Sequence, residues 1–212
     1  MVNLRWFGHS CFEALNAITI LMDPHDGRSM GLPVPSSKPD AVLVSHPHDD
    51  HAGGRRLFEK PGVMILEEPG DYEVKGVGIK GIETYHDDVQ GSRLGANVVF
   101  TFELDGVKFS HLGDLGHALS PEQIEEIGDI DVLFVGVGRS SELVEENIGR
   151  INPRIVVPMH YWTEGIIFPY FPLRKVDEFL GDKKRVVRVQ KSERSYSKDE
   201  LPDSMEVHVF RL

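Results

Sequence analysis

The sequence predicts a mixed α/β fold in which sheets are covered by helices. In the first half of the chain, short apolar runs end in Gly, Pro or polar clusters, as strands do. In the second half, strand-like and helix-like segments alternate. The composition agrees: 40% hydrophobic and 27% charged residues suit an ordinary globular chain, and 212 residues suit one sizeable domain, expected to span 1–212.

The elements follow in order. Leu4 to Phe7, Ile18 to Met22 and Ala41 to Ser45 are short apolar runs with strand character. Gly27 to Asp40 holds three prolines and two glycines and reads as a loop. Val63 to Tyr85 is broken by Pro69-Gly70, Lys75-Gly76 and Lys80-Gly81, which predicts a series of short antiparallel strands. Asn97 to Leu104 and Val107 to His111 flank Asp105-Gly106, a two-residue hairpin signal. Ser120-Pro121 followed by early Glu residues opens a helix over Pro121 to Ile127. Beyond it come a strand (Asp131 to Val137), a helix (Ser141 to Ile148), a strand (Arg154 to Met159), a helix (Leu173 to Leu180) and final strands at Arg185 to Gln190 and Glu206 to Phe210.

Bulk properties narrow the function. The longest apolar runs fall far short of the ~20 residues that cross a membrane, and Met1 to Trp6 reads as a strand rather than a leader, so a cytoplasmic protein without a membrane partner is expected. One cysteine, Cys11, excludes an internal disulfide and a Cys-rich zinc ribbon; it reads as a small buried residue. The net charge of −11 disfavours nucleic acid as a partner, because that affinity depends on many Lys and Arg contacts to phosphate. A small-molecule substrate is expected instead.

The chemistry concentrates in Ser45-His46-Pro47-His48-Asp49-Asp50-His51, an H-x-H-x-D-H pattern directly after a predicted strand. In an extended segment alternate side chains point the same way, so His46 and His48 can reach one ion together. The chain then turns, and Asp50 and His51 can point to a neighbouring position. Ala52-Gly53-Gly54 is small enough for a tight turn and the start of a helix beside the site. A polar surface loop is the alternative reading, but four metal-competent side chains in six residues are hard to justify as packing. Imidazole and carboxylate suit zinc, manganese or iron.

This motif resembles the signature of the metallo-β-lactamase superfamily. The resemblance implies a four-layer αββα sandwich with a dinuclear site at one edge of two sheets. Further ligands are then expected at later strand ends: His86 in Glu83-Thr84-Tyr85-His86-Asp87, Asp114 in Ser110-His111-Leu112-Gly113-Asp114, and His160 in Val157-Pro158-Met159-His160. Asp23, in Leu21-Met22-Asp23-Pro24, matches an early acidic motif. By this resemblance His46, His48 and His86 hold one ion, Asp50, His51 and His160 hold the second, Asp114 bridges them, and Asp23 orients the histidine loop. Trp6-Phe7-Gly8-His9-Ser10-Cys11-Phe12, Gly113-Asp114-Leu115-Gly116 and Pro158-Met159-His160-Tyr161 are similar to a narrower branch, that of ascorbate-phosphate lactonase-like hydrolases and, more distantly, of a phospholipase D acting on N-acylphosphatidylethanolamine. His86 departs from the common Gly-His-Thr-Pro-Gly context, and Gly136-Val137-Gly138-Arg139-Ser140 stands where the branch often has Pro-x-Gly-Gly, in a loop expected to border the substrate.

The implied function is hydrolysis of a small carbonyl or phosphoryl ester, a lactone or phosphodiester, by a hydroxide shared between two divalent ions, zinc or alternatively manganese. Asp50 is expected to be catalytic, holding the nucleophile and relaying its proton. Three alternatives stand beside this. Diiron redox members of the superfamily place Glu where this chain has His48. RNA-processing members usually carry an added domain or basic arm. A non-catalytic metal-binding domain is the third. Other candidates keep two readings each: His9 lines the pocket or caps a turn, His111 is a core histidine or a pocket residue, and Tyr161 donates to an oxyanion or is a sheet-edge aromatic. His25 and His117 read as loop histidines, and His208 as a strand-surface residue.

Overall fold

The computed structural model describes residues 1–212 except 139, 140, 169 and 182. The chain opens with an antiparallel meander, β1 (Val2–Gly8), β2 (Cys11–Leu15) and β3 (Thr19–Met22). A loop returns it to β4 (Ala41–Leu43), which lies parallel to β3. The short helix α1 (Asp49–Ala52) and a 3-10 turn (Arg55–Leu57) lead to β5 (Met64–Leu66), parallel to β4. With a late strand, these form a six-stranded sheet.

The chain then enters a second sheet through β6 (Gly70–Val74), β7 (Val77–Tyr85), β8 (Ala96–Leu104) and β9 (Val107–His111), all antiparallel neighbours. Asp105 (φ 51°) and Gly106 (φ 75°) make the expected tight turn between β8 and β9. The helix α2 (Pro121–Ile127) carries a capping box: Gln123 N donates to Ser120 Oγ (3.2 Å), and Ser120 N donates to the Gln123 side chain (3.0 Å). There follow β10 (Val132–Gly136), α3 (Ser141–Ile151), β11 (Ile155–Met159), α4 (Val176–Leu180), β12 (Val186–Arg188), β13 (Glu193–Tyr196) and β14 (Glu206–Val209). The sheet orders are β13-β1-β2-β3-β4-β5 and β12-β14-β11-β10-β9-β8-β7-β6.

The two sheets share one core. Alternate residues of β1 (Val2, Leu4, Trp6) are buried with Phe12, Ile20, Met22 and Leu43, and all pack with residues of the second sheet. Phe12 joins the layers, with its ring centroid 4.7 Å from Phe134 and 5.8 Å from Phe210. The parallel strands β10 and β11 are apolar almost throughout, because α3 residues such as Val144, Ile148 and Ile151 cover the side away from the first sheet. The outer cover of the six-stranded sheet is thinner. There Cys11, Leu21, Val42 and Val44 pack with Phe58 just past the 3-10 turn. Among the described residues, no helix is long and apolar enough to cross a membrane.

Four local expectations are corrected. β2 and β13 were not expected as strands. β5 does not join the antiparallel series that follows it but leaves for the other sheet, parallel to β4. The helix of the histidine motif begins at Asp49, inside the motif, and ends by Gly53, rather than starting near Ala52. His208 is not on the surface: it is buried, between the Tyr196 hydroxyl (2.9 Å) and Glu206 (3.1 Å).

Candidate metal centre

The strands β1, β3, β4, β7, β9, β10 and β11 run so that one edge of the sandwich collects their C-terminal ends. His9 follows β1, Asp23 follows β3, and His46 stands three residues beyond β4. His86, Asp114 and His160 follow β7, β9 and β11. The turn α1 supplies Asp50 and His51. Three of these residues, His9 (φ 52°), Asp23 (φ 42°) and His160 (φ 55°), sit in the left-handed region. Side-chain-bearing residues rarely adopt it, and they hold it only where the surroundings over-determine it.

Two groups of donors form among the described residues, and a third, His46, His51 and Asp114, links them. His46, His48 and His86 make a triangle of rings with centroid separations of 4.7 Å (46–48), 4.8 Å (46–86) and 4.9 Å (48–86). Asp50, His51 and His160 form the second group together with His9; in each group the potential ligand atoms lie within 4.8 Å of one another. Asp50 Oδ2 stands 2.9 Å from His9 Nε2, 3.2 Å from His51 Nε2 and 3.3 Å from His160 Nε2. Asp114 lies between the groups: its Oδ2 is 2.9 Å from His86 Nε2 and 3.6 Å from His160 Nε2.

The residues fit a metal. The Nε2 atoms of His46, His51, His86 and His160 are buried and make no aligned hydrogen bond within the protein. Leaving such atoms unsatisfied is costly, and natural proteins rarely do so without a purpose. The opposite nitrogens of His46 and His51 are held by hydrogen bonds, whereas those of His86 and His160 are buried without one. His51 Nδ1 is 2.6 Å from Asp23 Oδ2, and His46 Nδ1 is 3.0 Å from Ser45 Oγ. Asp23 also accepts from Ser45 N and Ser45 Oγ, both at 2.7 Å, and so holds the start of the histidine loop.

Burial is the main cause that drives the His46 pKa down to about 2 and the His9 pKa to about 3, so both imidazoles are neutral and their lone pairs are free of proton competition. His51 goes the other way. Burial would lower it, but Asp23 and Asp50 on either side push it well up. The negative potential that favours a proton on His51 favours a metal cation there equally. Burial works against an ionised Asp50 as well, yet His51, His160 and His9 together hold its carboxyl far below the usual range.

The other candidates separate clearly. His9 is not merely a turn residue: its ring is in the second group, 4.0 Å from that of His160. His111 lies in the core. Its Nδ1 accepts from Gly113 N (3.2 Å), which leaves Nε2–H to donate to Ser10 O (3.1 Å). Tyr161 is buried against Trp6 and directs its hydroxyl to Phe210 O (3.4 Å), not toward the donor groups. His25 is in a loop as expected, but buried, with its ring nitrogens on Phe7 O and Gly27 N. In the loop expected to border the substrate, Gly136 approaches Asp114 Oδ1, while Arg139 and Ser140 lie outside the described residues.

Sequence reasoning missed three supports. Asn97 is buried and takes Asp114 N on its Oδ1 (3.0 Å), while its amide donates to Thr84 Oγ1 (2.8 Å) and Leu112 O (3.0 Å). An Asn in an apolar strand was the available signal. Asp87 gathers four backbone N–H groups, from Val89, Gly91, Arg93 and Leu94 at 2.7–2.9 Å, and so folds the loop after His86. Phe168, within 5.5 Å of both His9 and His160, belongs to an aromatic run near Tyr170 and Phe171 that the sequence displays openly.

The sequence profile of the β-lactamase superfamily domain matches residues 3–160, which include every one of these donors. The chain belongs to the metallo-β-lactamase superfamily. Among superfamily relatives, a metal-dependent hydrolase of Thermococcus onnurineus is 28% identical over 91% of this chain and 98% of its own length. A second, from Thermoplasma acidophilum, is 29% identical over 79% of this chain and 87% of its own. The crystal structure of a protein from Thermotoga maritima, described as a zinc-dependent hydrolase of the metallo-β-lactamase superfamily, superposes with a TM-score of 0.79 at 36% identity, covering 99% of this chain and 98% of that one. This superfamily member is a metal-dependent hydrolase, as those relatives are described to be.

Proposed function

We propose that the protein is a dinuclear hydrolase, loaded with zinc or alternatively manganese, that cleaves a small ester: a lactone, another carbonyl ester or a phosphodiester. The observation that carries this reading is the pair of donor groups joined at Asp114 Oδ2, with unsatisfied Nε2 atoms on both sides. In it His46, His48 and His86 would hold one ion and Asp50, His51 and His160 the other, with Asp114 placed to serve both groups. Divalent ions there would supply Lewis acidity, lowering the pKa of water toward ~7 and polarising the oxygen under attack.

The side chains do the rest. Asp23 fixes the His51 ring through Nδ1. Asp50, whose Oδ2 lies 2.9–3.3 Å from three imidazoles, would help hold the attacking water and accept its proton. His9 steadies that same oxygen. The net charge of −11 supports a small-molecule substrate over nucleic acid.

The test is elemental analysis of protein reconstituted with excess zinc or manganese and then desalted, followed by turnover on lactones, carboxylic esters and phosphodiesters. Close to two ions per chain and metal-dependent turnover are expected. A stoichiometry well below one would sink the dinuclear reading.

A further inference from the structure

Above the donor groups opens a cavity of about 660 Å³, a volume within the ~300–1,000 Å³ of small-molecule sites. Its floor is His48, Asp50 and Asp114, the chemical end of the site. Its wall is apolar: Leu94, Phe168, Tyr170 and Phe171. Two of these are well exposed, Leu94 at 42% and Tyr170 at 63%. Grouped exposed apolar side chains beside a polar centre mark a surface kept for a ligand.

The wall is built from both halves of the chain and is anchored. Phe168 lies edge-on to Tyr170 (centroids 5.3 Å) and Phe171 (5.0 Å), and its own ring is 5.5 Å from those of His9 and His160. Ile167 N donates to Met30 O (2.8 Å), which ties the segment to the loop after β3. Across the cavity, the Asp87 carboxylate receives Leu94 N (2.7 Å) and sets the position of that side chain.

The charged side chains among the described lining residues are Asp49, Asp50 and Asp114. Divalent ions on Asp50 and Asp114 would offset that charge, so what disfavours a phosphodiester is the wall: Leu94, Phe168, Tyr170 and Phe171 offer its anionic oxygens no Arg or Lys. A cationic side chain, Arg93, lines an adjoining, smaller cavity of about 280 Å³ that shares Leu94 and Asp114 with the first, and its guanidinium stands 3.8 Å from Asp88.

We infer that the substrate is an uncharged carboxylic ester or lactone bearing an apolar arm, with that arm against Leu94, Phe168, Tyr170 and Phe171 and its carbonyl over His48, Asp50 and Asp114. This rests on the hydrolase reading above and narrows it. In the reaction, the oxygen of water bonds to the acyl carbon and the acyl C–O bond breaks. The alkoxy oxygen leaves as a hydroxyl, and the acid product appears as a carboxylate with release of one proton.

The test uses the zinc-reconstituted full chain with p-nitrophenyl acetate, p-nitrophenyl hexanoate and bis(p-nitrophenyl) phosphate. Each buried methylene contributes roughly threefold to fourfold, so kcat/KM for the hexanoate should exceed that for the acetate by ~10-fold or more, and should exceed that for the phosphate. Phe168→Ala combined with Tyr170→Ala should collapse the hexanoate-to-acetate ratio toward one while zinc content stays at the wild-type value. A flat chain-length profile overturns the inference, as does a preference for the phosphodiester that Arg93→Ala abolishes. Calorimetry with N-phenylhexanamide, a neutral amide analogue, separates this inference from the hydrolase reading. Saturable binding that the double variant loses, with none of the three probes turned over, keeps the pocket assignment and overturns hydrolysis. Failure of the wild-type protein to bind the amide overturns the pocket assignment itself.

Discussion

Asp50 and Asp114 are both buried carboxylates in the floor of one cavity, yet their partners differ, and so should the effects of removing them. Asp50 Oδ2 faces His9, His51 and His160, all in one donor group. Asp50→Asn keeps its shape but loses the charge, so metal at His46, His48 and His86 should persist while turnover falls by ~10²–10⁴. Asp114 spans the groups, so Asp114→Ala should weaken metal retention at both. Metal content and rate, measured on both variants, check this; wild-type turnover by Asp50→Asn would falsify the assignment of Asp50. At this scale the sequence was legible where chemistry repeats a pattern: H-x-H-x-D-H and strand-terminal His86, Asp114 and His160 all arrive in one place. It was silent on Asn97, whose part depends on lying opposite Thr84 and Leu112 in space. The case of His9 turned on a 2.9 Å contact with Asp50 across 41 positions, which no local pattern encodes.

Elements were legible where local rules act alone. The Asp105-Gly106 turn and the Ser120-Pro121 helix start fell at the expected positions, because turn and cap chemistry is local. Assignment to a sheet is decided by distant pairing. Met64–Leu66 carries the same short apolar pattern whichever sheet receives it, and the buried parallel edge of Ala41–Leu43 took it. β13 reads Glu-Arg-Ser-Tyr, with little apolar signal, and is a strand because β1 offers it an edge. The elements at the site are also spaced tightly enough to test. Gly113 sits at φ 60°, and a Cβ there would collide with Asn97 and Ser45. Gly113→Ala should therefore destabilise by about 1–3 kcal/mol through backbone strain, before any displacement of Asp114 is counted. A methyl group added at Gly149, within α3, would meet no neighbour within 4 Å, so Gly149→Ala should be neutral or stabilise by ~0.5–1 kcal/mol. Thermal melts of the two variants separate a steric role from a general effect of alanine; equal midpoints would remove the argument.

At the scale of the molecule, the donors come from both sheets. His9, Asp23, His46, His48, Asp50 and His51 extend from the six-stranded sheet, whereas His86, Asp114 and His160 extend from the eight-stranded one. Bound ions would therefore clamp the two layers at one edge. The layers do not depend on that clamp alone, since Phe12, Phe109 and Phe134 close the core well inside it. Without cations, the buried Nε2 atoms of His46, His51, His86 and His160 are left without a hydrogen-bond partner at that edge, so the stabilisation is lost there first. Binding that favours the folded state contributes ~2.7 kcal/mol at a free ion concentration 100 times Kd and ~4.1 kcal/mol at 1,000 times Kd. A domain of this size shifts its midpoint by ~2–4 °C per kcal/mol. Chelation should thus lower Tm by roughly 5–16 °C for one site, and more for two, while the far-ultraviolet circular dichroism of the folded chain persists below the new midpoint. Adding zinc back should restore the original midpoint, and His46→Ala should blunt the response to both treatments. A chelated protein that melts at the same temperature as the zinc-loaded one would mean that ions do not join the layers. Loss of all regular structure on chelation would mean that the aromatic core cannot hold the sheets together by itself.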